Sequence, residues 1–96
     1  MSDDDDLRAL TADVLRRSGV EDLGRVAGSS AFARLEPDLD AVLRLRLGLD
    51  RDPIRGRTRR EVAEAMGFGG ARLEEMIAAI EEDAVEALGA APWEKA

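Results

Sequence analysis

The chain has 96 residues, 45% of them apolar, which suffices for one small domain and leaves no room for two with separate cores. Its lack of cysteine and histidine removes disulfides, thiolate metal sites, and the commonest general base and zinc ligand. A net charge of −7 disfavours non-specific binding to nucleic acid or an anionic membrane, where affinity comes largely from neutralising phosphates.

In chain order, Met1 to Asp6 reads as an acidic, polar arm whose aspartates can also serve the start of the next helix. Leu7, Leu10, Val14 and Leu15 recur at helical spacing until Ser18-Gly19 gives a stop signal. Val20 to Ala27 predicts a short second helix with Leu23 and Val26 inward, and Gly28-Ser29-Ser30 a hinge or helix start. Glu36-Pro37-Asp38 opens a helix, with Pro near the first turn and acids against the dipole. Leu39, Val42, Leu43, Leu45 and Leu47 make that helix strongly apolar, and Gly48 ends it.

Asp50 to Gly56 holds Pro53 and reads as a loop. Thr58 with Glu61 three residues later is a capping-box pattern, predicting a helix to about Met66 that Gly67 closes. Gly69-Gly70 predict the start of the last helix, with Leu73, Met76, Ile77, Ile80, Ala84 and Leu88 on one face and Gly89 at its end. No strand pattern competes, so the fold class expected is all-α. Three segments follow: an acidic arm with a short helical pair over 1–36, a helix-turn-helix unit over 37–89, and a tail over 90–96, together one compact unit. The predicted core includes Leu43, Val62, Leu73 and Ile77.

Charge divides the chain differently. Residues 1–40 carry ten acids and five bases, residues 41–72 four acids and eight bases, and residues 73–96 seven acids and one base. An acidic arm and an acidic final helix thus flank a basic middle. No apolar run approaches the roughly 18 residues of a membrane span, and Asp3 to Asp6 is the opposite of a signal-peptide n-region. The expected location is the cytoplasm, with no membrane partner.

The segment from Leu39 to Ile80 carries the most specific pattern. Leu43-Arg-Leu-Arg-Leu-Gly-Leu-Asp leads through a variable loop to Thr58-x-x-Glu61-Val-Ala-x-x-Met-Gly-Phe68. It resembles region 4 of bacterial RNA polymerase sigma factors, in which an apolar helix end precedes a Thr-capped helix, a Gly turn and a recognition helix. On that resemblance Thr58, Glu61, Val62, Met66, Gly67, Phe68, Leu73 and Met76 match cap, core or turn positions. They imply two helices crossed as in a DNA-reading helix-turn-helix.

The outward positions depart from the family. Gly70 and Ala71 stand where Arg and Glu are common there, and Glu74 and Glu75 where Arg and Gln are common; only Arg72 is kept. Arg and Gln donate hydrogen bonds to bases and phosphates, which a carboxylate cannot do. The two glutamates, with Glu81 and Glu82 behind them, are expected to outweigh one arginine, so DNA binding should be weak or absent.

Arg51, Arg55, Arg57, Arg59 and Arg60 form a basic cluster that reads either as a phosphate-contacting loop or as a solvated loop pairing with nearby acids. The candidate DNA contacts are Arg72, Arg59, Arg60 and Arg57. Sigma region 4 also presents a hydrophobic cup that holds a helix of the polymerase beta-subunit flap. The resemblance therefore implies a partner role for some of Leu39, Leu43 and Leu47, for each of which core packing is the default role, and an apolar groove beside them open to a partner helix. Glu74, Glu75 and Glu82 are candidate contacts for a basic partner, and Trp93 in the tail is a candidate anchor.

Catalysis is not expected. The hydroxyl nucleophiles lack an evident neighbouring base, Asp3 to Asp6 lacks the interleaving and Gly of a calcium loop, and the only lysine is Lys95, outside any phosphate cradle. No metal or cofactor is expected. The leading reading is a transcription-associated, sigma-region-4-like protein acting through protein contacts, with RNA polymerase (the beta flap) or a protein that binds sigma region 4. Two alternatives stand beside it: a DNA-binding helix-turn-helix regulator, and a small helical assembly or antitoxin-like partner unrelated to transcription.

Overall fold

A computed structural model describes residues 3–89, and every regular element among them is helical. The expected all-α class is observed. Of the two readings of the acidic start, the structure has Asp3 to Asp6 serving the start of the next helix. Helix α1 runs from Asp3 to Ser18, with Asp3 to Asp6 in its first turn against the positive end of the helix dipole and Arg16 and Arg17 in its last. Leu10 and Val14, one turn apart, are its buried residues.

Two short helices follow, each opened by a side-chain cap. Asp22 accepts from the Gly24 N–H to start α2 (Leu23–Val26), and Ser29 accepts from the Phe32 N–H to start α3 (Ser30–Ala33). Helix α4 (Pro37–Leu47) begins at the expected proline. It ends where Gly48 adopts φ +75° and sends its N–H back to the carbonyls of Arg44 and Leu45. Helix α5 (Arg59–Ala65) has both halves of the capping box in place: the Glu61 N–H donates to Thr58 Oγ1 at 3.1 Å, and the Thr58 N–H donates to Glu61 Oε1 at 2.9 Å. Gly67, at φ +76°, turns the chain out of it.

The last helix, α6 (Leu73–Leu88), starts three residues later than its glycines suggested. Gly70 takes φ +116°, and Arg72 at the N-cap makes no side-chain cap, so residues 69–72 are a turn and not a first helical turn. Arg17 of α1 donates to the carbonyls of Val85 and Gly89. It supplies at the C-terminus of α6 the positive charge that this helix lacks in its own last turn.

The helices enclose two apolar clusters. In the first, Leu10 and Val14 of α1 meet Val26, Phe32, Leu43, Leu47, Ala84 and Leu88. In the second, Val42 of α4 and Val62 and Ala63 of α5 pack on Ile77 of α6. Full burial of a Leu, Val or Ile side chain contributes about 1.5–3 kcal/mol, so either cluster outweighs any single surface charge pair. Leu43, Val62 and Ile77 are fully buried as expected, whereas Leu73 is only half-buried. Met76, matched on resemblance to a cap, core or turn position, is exposed, and Ile77 beside it takes the buried place.

Helices α4 and α6 contribute to both clusters, and a charged pair lies on the seam. Arg46 follows Val42 by four residues and Leu43 by three, so it shares their face. Glu81 likewise lies four residues after Ile77 and three before Ala84. Both are buried, Arg46 completely.

Candidate functional site

Arg46 is buried without being stranded. Its Nε donates to Glu81 Oε1 at 3.1 Å, and its Nη1 donates to Asp3 Oδ2 at 2.8 Å and to the Arg57 carbonyl. The other oxygen of Glu81 accepts from Arg59 Nε at 2.7 Å, and Arg59 Nη1 reaches Asp6 Oδ2 at 3.0 Å. The Arg59 backbone N–H also points to Asp3 Oδ1, at 3.4 Å. Five charges from four helices thus close one network, in which every buried charge has opposite charges beside it.

This network corrects the expectation for Glu81, which was counted among outward acids opposing DNA. It faces inward and binds two arginines. None of Arg46, Asp3 or Asp6 was singled out as a site residue from the sequence. The available signal was a charge at core spacing, Arg46 after Val42 and Leu43 and Glu81 between Ile77 and Ala84.

The candidate DNA contacts separate into two groups. Arg57 forms a two-pronged pair with Asp50, at 2.6 and 2.9 Å, and donates to the Leu45 carbonyl. Arg59 belongs to the buried network. Both pairs favour the charged guanidinium. The hydrogen bond to Asp50 raises the pKa of Arg57. For Arg59 burial is the largest single effect and opposes the charge, but the hydrogen bond and charge of Glu81 together with the charges of Asp6 and Asp3 prevail and raise it. Arg60 and Arg72 are exposed, and their nearest acids, Glu64 at 3.7 Å and Glu75 at 3.9 Å, hold them weakly. Only these two of the four are free to meet a ligand.

The candidate partner contacts divide in the same way. Leu43 and Leu47 are closed inside the first cluster, and Leu39 is half-buried at its edge. Leu43 and Leu47 are therefore closed to a partner, and of the three only Leu39 is partly exposed. Glu74, Glu75 and Glu82 are exposed on α6. Trp93 lies outside the described residues. Among those described, no helix is long and apolar enough to cross a membrane, and no group of three or more potential ligands could hold a metal ion.

The network makes the seating of α1 sensitive to acid. Partial burial disfavours a charge on Asp3, but the hydrogen bond and charge of Arg46, with contacts from Arg59, prevail and hold its carboxyl below the ordinary range. A depressed folded pKa gives stability that is complete above the unfolded value, near 4 for aspartate, and is lost as pH falls through the folded one. Melting temperatures measured from pH 7 to pH 2 should therefore drop below about pH 4. In Asp3→Asn that acid-side fall should be shallower; an unchanged profile would mean that Asp3 does not hold α1.

Compared with known proteins, the chain matches no family model, no curated protein and no solved structure. The likeness to sigma region 4 rests on the residues from Leu39 to Ile80 quoted above.

Proposed function

We propose that the chain is a transcription-associated protein built on a sigma-region-4-like helix-turn-helix, acting mainly through protein contacts in the cytoplasm. Its partner is RNA polymerase or a protein that binds sigma region 4. The sequence pattern supports the family. The helix order α4, capped α5, Gly67 turn and α6 is compatible with it.

One observation favours protein over DNA: the disposition of the arginines. Arg57 and Arg59 are committed within the chain, while Glu74 and Glu75 stand exposed in the first turn of α6, where a reading helix would face phosphates. Exposed Arg60 and Arg72 are too few to overcome them. A polymerase contact does not use Leu43 and Leu47, which are buried, and the acidic outer face of α6 suits a basic partner surface better.

The unmodified protein should give no sequence-selective gel shift with duplex DNA at physiological salt. Glu74→Arg combined with Glu75→Gln should raise non-specific affinity about tenfold or more and steepen its salt dependence, since the change adds three units of positive charge. A tight, sequence-selective shift by the unmodified protein would favour the DNA-binding regulator instead.

A further inference from the structure

Helices α1 and α6 lie side by side, and between them runs an open groove of about 410 Å³. Exposed Ala9 and half-buried Ala78 and Val85 give it a low apolar strip, beside which Arg59 lines the groove with its charge already held by Glu81 and Asp6. Small side chains at a helix pair let a third helix approach closely, toward the 8 Å end of the usual interaxial range. The rim is acidic. Glu82 and Glu86, one turn apart on α6, are both exposed, and neither has an ion-pair partner among the described residues. Asp13 on the opposite wall is already bound to Arg16 and Arg17.

We propose that this groove docks a basic amphipathic helix from another protein, with a narrow apolar seam on the floor and lysines or arginines against Glu82 and Glu86. Charge decides the occupant. A second copy of the chain would bring a net charge of −7 to an acidic rim, and the chain's own residues 90–96 carry one glutamate and one lysine and so no net charge. Helix-in-groove recognition of this kind takes its affinity from the floor and its selectivity from the rim. The inference does not depend on a role in transcription.

The test uses the full chain and a fluorescein-labelled 18-residue peptide of leucine and lysine patterned as an amphipathic helix, at physiological salt. Saturable binding is expected, with the largest amide shifts in ¹⁵N spectra at Ala9, Ala78 and Val85. The pair Glu82→Gln and Glu86→Gln should weaken binding roughly five- to tenfold by anisotropy. A control of equal charge change away from the groove, Glu21→Gln with Asp38→Asn, should weaken it less than twofold. The proposal is overturned by shifts centred elsewhere, by equal losses in the two pairs, or by no saturable binding. It is equally overturned if the free protein shows contacts between residues 90–96 and Val85, or self-association that shifts the same amides.

Discussion

Replacing Glu81 with alanine is expected to destabilise the protein by about 3–5 kcal/mol, a large share of what a domain of this size possesses. The change leaves Arg46 fully buried with its Nε unpaired, and it takes from Arg59 its shortest contact. Among the described residues Asp3 is the only acid left on Arg46, and it is a third exposed, so it compensates poorly. Replacing both charges, Arg46→Met with Glu81→Leu, should recover most of the loss, because two apolar side chains of similar volume need no partners between the two clusters. Urea unfolding followed by circular dichroism gives both values. A loss below about 1 kcal/mol for Glu81→Ala would mean that water, not Arg46, solvates that carboxylate.

Gly48→Ala is expected to be nearly as severe, about 3 kcal/mol or more, for a different reason. Gly48 is buried at φ +75°, a conformation that costs an L-residue about 1–2 kcal/mol. A Cβ there would also meet the Arg55 carbonyl oxygen at 1.8 Å and its carbon at 2.3 Å. Backbone would have to move, and with it the loop whose Arg57 N–H donates to the Arg46 carbonyl and whose own carbonyl accepts from the Arg46 side chain. Gly67 provides the control. It shares the backbone conformation, at φ +76°, but a Cβ there meets nothing within 4 Å, so Gly67→Ala should cost only about 1 kcal/mol. Equal losses in the two variants would show that the close approach to Arg55 carries no weight.

Local chemistry was the legible part of this sequence. The Thr58–Glu61 capping box, the proline start of α4, and the ends at Gly48, Gly67 and Gly89 are each set by a few neighbouring residues, and each lies where the pattern put it. What escaped was tertiary. The sequence allows Asp3 to Asp6 to start a helix but does not reveal the pairs of Asp3 with Arg46 and Asp6 with Arg59, which are 43 and 53 residues apart, beyond any periodicity. Glu81 read as a surface acid because periodicity assigns a charge to solvent unless a partner is known to lie opposite. Leu43 and Leu47 carried two roles in the sequence, and the structure gives them the core, where they join residues of α1, α2, α3 and α6. Glu74, Glu75, Glu82, Arg60 and Arg72 are exposed, whereas Arg57 is held by its pair with Asp50 and Arg59 by the buried network, neither of which local spacing reveals.

On the function proposed above, the burial of Leu43 and Leu47 and the exposed acids Glu74, Glu75 and Glu82 on α6 favour a basic protein surface over duplex DNA as the partner. Such contacts are steered by charge and weaken with salt, which distinguishes them from burial of an apolar anchor. The most direct measurement is an anisotropy titration of the labelled full chain with purified core RNA polymerase at physiological salt. The account predicts saturable binding at micromolar concentration or tighter, weakened by added salt and by Glu74→Gln with Glu75→Gln. No binding of the unmodified chain at tens of micromolar polymerase, or binding indifferent to salt and to those two glutamates, would contradict it.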